Sequence, residues 1–288
     1  MEVATSKYRL LRANSLDWLT SRKTRTIHSV VTDPPFVLRE YSKTELEKKR
    51  NGHGGLWRIP INYDGCERQP TPRFTGLTTN DLVAIREFHE ELASSLFRVL
   101  VPGGHIIMAS NNLVSHIVVQ SLVDAGFELR GQIAREVKTL RGGDRPKGAH
   151  HKFVEVSSSP RVSWEPWIIA RKPCEGTVRE NLERWGTGAL RRPAKNTPFR
   201  DLIESHPAKK IERVIAPHPS LKPQSFMRQI VRASLPLARG VVLDPFMGSG
   251  ATIAAALALN LRAIGIEVNS TYYTMAKRAI LRLSELEV

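Results

Sequence analysis

Gly240-Val241-Val242-Leu243-Asp244-Pro245-Phe246-Met247-Gly248-Ser249-Gly250-Ala251-Thr252 runs from a short apolar stretch through an acid and a glycine-rich turn into an Ala/Leu-rich segment. The apolar part reads as a strand buried on both faces, and Ala251 to Asn260 as a helix. The glycines between them let backbone approach a ligand closely. Arg262-Ala263-Ile264-Gly265-Ile266-Glu267 follows as a second buried strand that again ends in an acid. Strand, glycine turn, helix and strand form a βαβ unit of the nucleoside-binding kind, with Glu267 spaced to accept both hydroxyls of a ribose.

Charge narrows the ligand. Gly250 is followed by Ala251 rather than Lys, which disfavours a phosphate-loop NTPase. Gly248-Ser249-Gly250 lacks the third glycine of a dinucleotide site, and Asp244 would repel a pyrophosphate. An acid in that place suits a cationic ligand. S-adenosyl-L-methionine has a ribose for Glu267, an ammonium for the Asp244 region and no phosphate. A bare strand-to-helix turn is the plainer alternative, and the two paired acids weigh against it.

A second punctuated strand lies near the other end. Ser29 to Thr32 reads as a buried strand that stops at Asp33-Pro34-Pro35-Phe36, because proline has no N–H to give a central ladder. What remains is a carboxylate, free carbonyls and an aromatic ring, a set suited to a planar ring bearing an NH2 group. Taken alone it reads first as an ordinary strand-ending turn.

Elsewhere the pattern alternates. Tyr8 to Leu11 reads as a strand and Ser15 to Leu19 as a short helix capped by Asn14 or Ser15. A helix capped by Asn80 or Asp81 runs to about Leu100, ended by Val101-Pro102-Gly103-Gly104, and His105 to Ala109 is a buried strand. Helices follow at about Leu113 to Ala125, Ser225 to Leu235 and Ser270 to Leu283. The fold class is α/β, a doubly wound, mostly parallel sheet with helices on both faces. Residues 1–129 and 214–288 make the catalytic and cofactor-binding domain. The irregular stretch 37–78, with Gly52-His53-Gly54-Gly55, reads as a lid loop.

The 288 residues carry 43 Lys and Arg against 28 Asp and Glu, a formal net charge of +15 that points to a polyanionic partner. The excess concentrates in 130–213, where basic residues outnumber acidic ones roughly two to one and Arg141, Arg145, Lys147, Arg191 and Arg192 are candidate phosphate contacts. Trp164, Trp167 and Trp185 lie among them and read mostly as core. Two cysteines, Cys66 and Cys174, support neither a disulfide scaffold nor a metal site, and His150-His151 has no partner at ligand spacing. Met1 to Arg12 lacks a secretory core and Ala251 to Leu261 is too short for a bilayer, so a soluble, cytoplasmic protein without membrane contact is expected.

Asp244 to Thr252 with Ile264-Gly265-Ile266-Glu267 closely resembles the cofactor motifs of amino-DNA methyltransferases. Asp33-Pro34-Pro35-Phe36 resembles their catalytic motif, and His218-Pro219-Ser220-Leu221-Lys222-Pro223 the motif just before the cofactor loop. Their order is the permuted one of the β class: catalytic motif, target-recognition region, cofactor motif. The resemblance implies a circularly permuted Rossmann-like methyltransferase fold in which 130–213 reads the target. It further implies methyl transfer from S-adenosyl-L-methionine to the exocyclic amine of a flipped base, within a restriction-modification setting. Asp33 and the Pro34 carbonyl would take the amine's N–H groups beside Pro35, and Phe36 would stack on the base. Lys222 would meet the cofactor's carboxylate, Pro245, Phe246, Gly248, Gly250 and Thr252 would shape its pocket, and Asn14, standing where an aspartate is usual, would face its adenine. An Asp at the first catalytic position leans to adenine N6 over cytosine N4. Double-stranded DNA is the implied partner, and a homodimer and a companion restriction enzyme are admitted. RNA or protein-amide methylation, and a non-catalytic DNA-binding relative, are the rivals. The glutamine enzymes' opposite motif order counts against the amide version.

Overall fold

The computed structural model describes residues 2–35, 77–137, 148–149, 151–157 and 159–288, and the backbone of 62–63 and 66–67. Its strands are β1 (Glu2–Ala4), β2 (Tyr8–Arg12), β3 (Ile27–Thr32), β4 (Asn62–Tyr63), β5 (Cys66–Glu67), β6 (Leu100–Ala109), β7 (Glu128–Glu136), β8 (Trp164–Arg171), β9 (Leu202–Glu204), β10 (Val241–Asp244) and β11 (Arg262–Glu267). Its helices are α1 (Ser15–Thr20), α2 (Thr79–Val99), α3 (Ser115–Asp124), α4 (Val178–Trp185), α5 (Lys210–Ile215), α6 (Gln224–Ser234), α7 (Ala251–Ala258) and α8 (Ser270–Ser284). The proposed lid over 37–78 lies almost wholly outside the described residues, as do Phe36, Arg141, Arg145 and Lys147.

One sheet carries nine strands in the order β1-β2-β11-β10-β3-β6-β8-β7-β9. The five in its middle, β2, β11, β10, β3 and β6, are all parallel. β8 enters antiparallel between β6 and β7, β9 runs parallel to β7, and β1 closes the other edge antiparallel to β2. The mostly parallel, Rossmann-like sheet read from the sequence is therefore the one observed.

Alternation across the sheet explains the continuous apolar runs. Val31, Ile107 and Val242 point into one layer with Phe226, Ile230, Ala254 and Ile280 of α6, α7 and α8. Their neighbours Val30, Ile106 and Leu243 point into the other, with Trp18, Leu92, Leu96 and Val118 of α1, α2 and α3. A strand sandwiched this way has no solvent face and so shows no polar alternation.

Several boundaries differ from the sequence reading. Thr78, rather than Asn80 or Asp81, caps α2: its hydroxyl accepts the Asp81 N–H at 3.2 Å, and Asp81 Oδ2 accepts the Thr78 N–H at 2.8 Å. Asp81 thus acts from the third helical position of a capping box. Pro102-Gly103-Gly104 does not separate helix from strand, because β6 already begins at Leu100 and absorbs these residues where its register against β3 shifts between Ile27 and Ser29. The stretch 130–213 is continuous with the sheet: it supplies β8, β9 and most of β7, and buries Ile133, Trp167 and Ile169 in the core. Among the described residues no helix is long and apolar enough to cross a membrane.

Candidate active site

Two neighbouring parallel strands, β3 and β10, end side by side, with Leu243 opposite Val30. The chain leaves β10 for β11 on one side and β3 for β6 on the other. The crevice between such strands, outside their carboxyl ends, is where open α/β sheets bind ligands. Asp33 follows β3 and Asp244 ends β10. The motifs meet directly, because Thr32 Oγ1 donates to Asp244 Oδ1 at 2.7 Å.

Asp244 is buried, and the Phe246 N–H donates to the same Oδ1 at 3.1 Å. Burial pushes its carboxyl up to about 6, against the opposing hydrogen bonds from Thr252, Thr32 and Phe246. Thr252 is buried beneath it on α7, and Pro245 receives the hydroxyl of Ser15 on its carbonyl. Phe246 is half-buried and packs at 5.8 Å, ring centre to ring centre, on Phe88 of α2. Gly250 sits at φ 87°, where a Cβ would come within 2.4 Å of Ile280 Cγ1, so the turn admits only glycine there. Glu267, ending β11, accepts the Gly248 N–H at 3.0 Å and the Asn269 N–H at 2.7 Å, and burial holds its carboxyl above the ordinary value.

These contacts test the cofactor. The N–H groups of Phe246, Met247, Gly248 and Gly250 are satisfied inside the protein, by Asp244, Ile266, Glu267 and Met247 respectively. A phosphate would find none of those four free. A cation would meet Asp244, and the Glu267 carboxylate, with backbone N–H groups of Asn269, Gly248 and Val268 on it, keeps acceptor capacity for a ribose hydroxyl. The loop therefore fits S-adenosyl-L-methionine and not a nucleotide phosphate. Asn14 accepts the Leu16 N–H at 2.9 Å as the cap of α1, so its side-chain oxygen is engaged by the helix.

The catalytic motif is set differently. Pro34 is buried and Pro35 exposed. Asp33 Oδ2 receives the ammonium of Lys222, while Oδ1 is buried and has no hydrogen-bond partner among the described residues. Burial pushes the Asp33 carboxyl up, and Lys222 only partly offsets it. Lys222 lies between two acids, with Glu165 Oε1 3.3 Å away on the other side. Glu165 also takes Arg135 Nη1 at 2.8 Å and the Trp167 indole N–H at 3.2 Å. Burial raises its carboxyl, but Lys222 and Arg135 outweigh that and hold it down to about 2.

Of the remaining predicted residues, Arg191 lines a surface cavity of about 430 Å³ with Phe199, Arg200 and Arg232, and Arg192 is exposed nearby in sequence. Glu165, Arg135 and Thr32 are the site residues that the sequence reading passed over. Glu165 had a signal: it stands two residues before a buried tryptophan in a strand, and so on the same, inward face.

Asp33 and the glycine loop after Asp244 thus meet at one switch point of the sheet. The chain belongs to the N6/N4 family of DNA methylases, whose model matches residues 27–278. It is a DNA methyltransferase of that class, with S-adenosyl-L-methionine as cofactor. Type II methyltransferase M.HpaI of Haemophilus parainfluenzae is 39% identical over 281 residues, covering 94% of this chain and 74% of that protein. Type II methyltransferase M2.DpnII of Streptococcus pneumoniae is 33% identical over 275 residues, covering 96% and 90%. The structure of the cytosine-N4-specific PvuII DNA methyltransferase superposes with a TM-score of 0.61 at 14% identity, covering 99% of this chain and 88% of that one, a likeness of fold.

Proposed function

We propose that the chain methylates N6 of an adenine that has left the DNA duplex, with Asp33 and the Pro34 carbonyl each accepting one N–H of the amine. The observation that carries this reading is the buried Oδ1 of Asp33, which has no hydrogen-bond partner among the described residues. A buried acceptor without a donor costs roughly 1–3 kcal/mol, and an incoming N–H relieves it. Asp33 Oδ1 draws one proton of the amine and with it frees the nitrogen lone pair from delocalisation into the ring. The same oxygen is placed to take up the proton as the new bond forms. When bound, S-adenosyl-L-methionine supplies an electrophilic methyl group on a sulfonium, held by Asp244 and Glu267. A base reaches this depth only after leaving the stack, at a cost of a few kcal/mol. Basic residues of 130–213, Arg191 and Arg192 among them, contact the phosphates.

The test is mass spectrometry of nucleosides digested from DNA after incubation with the protein and S-adenosyl-L-methionine. N6-methyladenosine as its deoxy form supports the reading. N4-methyldeoxycytidine would reassign the base, and methylation confined to RNA or protein would overturn the substrate.

A further inference from the structure

Four charged groups are packed together behind the amine clamp, and only Asp33 belongs to the clamp itself. Lys222 bridges Asp33 and Glu165. Arg135 lies directly across the β7–β8 ladder from Glu165 and is pinned by three further contacts. Its Nε donates to Ser205 Oγ at 3.0 Å, its Nη2 to the His206 carbonyl at 3.2 Å, and its guanidinium lies over the Phe226 ring at 5.0 Å. Glu165 is thus the one acid of the four fixed from several directions, by Arg135, Trp167 and Lys222.

A lone lysine beside a buried aspartate would form a closed pair, and a closed pair competes with the substrate for the carboxylate. Here the ammonium is shared. Glu165 draws part of the Lys222 charge away from Asp33 and fixes which oxygen it occupies. Oδ2 is taken, and Oδ1 has no partner among the described residues. The two acids and two bases sum to zero, so the cluster can stay buried with Asp33 ionised.

We propose that Glu165 is a positioning residue for methyl transfer: it holds Lys222 on one oxygen of Asp33 and so presents the other to the substrate amine. The proposal rests on Asp33 being the amine's acceptor. The charged groups facing Asp33 are Lys222 on the chain before α6, Glu165 on β8, Arg135 on β7 and Asp244 on β10. Removing the Glu165 charge leaves two cations against Asp33, which keeps it ionised to lower pH but ties it more closely to Lys222.

The experiment compares Glu165→Gln, Glu165→Asp and Asp33→Ala in the full-length protein, measuring kcat, cofactor binding and the pH profile of kcat/KM on duplex DNA. Glu165→Gln should lower kcat about 10–100-fold, the scale of a misplacement near 1 Å, with cofactor affinity unchanged and the acid limb of the profile moved to lower pH. A merely structural role would lower activity without moving that limb. Glu165→Asp keeps the charge but withdraws it by one methylene, so its kcat should fall while its limb stays near wild type. If the Gln variant does not fold, wild-type kcat in Glu165→Asp overturns the proposal. An unshifted limb or an unchanged kcat in Glu165→Gln does the same. Asp33→Ala separates the two levels: full activity there removes the acceptor assignment itself, whereas an inactive Asp33→Ala beside a wild-type Glu165→Gln removes only the positioning role.

Discussion

Replacing Lys222 by methionine should make methylation depend on alkaline conditions. Lys222 is buried between Asp33 and Glu165, and the substitution keeps its volume while deleting its charge. Arg135 then remains as the single cation for two acids. Asp33 lies further from Arg135 than Glu165 does in this network, since Arg135 donates directly to Glu165, so Asp33 is the group that takes up a proton. Loss of an adjacent opposite charge raises a carboxyl, so the acid limb of methylation should move to higher pH by about 1–3 pH units. Protonation also caps the loss of stability. The loss should stay within the ~3–5 kcal/mol expected for breaking a buried pair, because the Asp33 carboxyl already stands above its ordinary value. Initial rates of labelled methyl transfer to DNA across the neutral and alkaline range, with urea unfolding alongside, measure both quantities. A profile superimposable on wild type, or an acid limb moved to lower pH, would show that Lys222 does not hold Asp33 ionised. Glu165→Gln should move the limb in the opposite sense, which makes the pair a check on each other.

Two further outcomes follow from the site. Asp244 is charged above about pH 6 and neutral below it, so affinity for S-adenosyl-L-methionine should weaken as pH falls through that value, and calorimetry at constant ionic strength reads it. Affinity that is flat across pH 6 would remove the ammonium from Asp244. Replacing Arg191 and Arg192 together by alanine should weaken DNA binding and reduce the salt slope by about 1 for each phosphate no longer neutralised, measured by fluorescence anisotropy; an unchanged slope moves the DNA interface to other residues.

The parts of this architecture legible in the sequence were those set by local pattern. Val30-Val31 and Val242-Leu243 announced strands covered on both faces because no polar residue interrupts them. The glycines of 248–250 announced a turn because only that residue type accepts the backbone there. Pairings between distant residues were not legible in the same way. The Lys222–Asp33 pair spans 189 positions and the Thr32–Asp244 hydrogen bond 212. Their partners are chosen by which strands lie adjacent, and pattern alone does not rank strand orders. β6 shows the opposite failure: Pro102-Gly103-Gly104 carries every local mark of a turn, yet the ladder with β3 admits it as an irregularity. Glu165 sat between the two cases, with an inward-facing position readable from Trp167 and a partner, Arg135, fixed only by the β7–β8 register.

Everything proposed for this site turns on Asp33 Oδ1 as the acceptor of the substrate amine. Methylation and cofactor binding measured together on Asp33→Ala test it most directly. Transfer to DNA should fall at least about 100-fold while S-adenosyl-L-methionine binds as in wild type. Transfer retained near the wild-type rate with intact cofactor binding would contradict it.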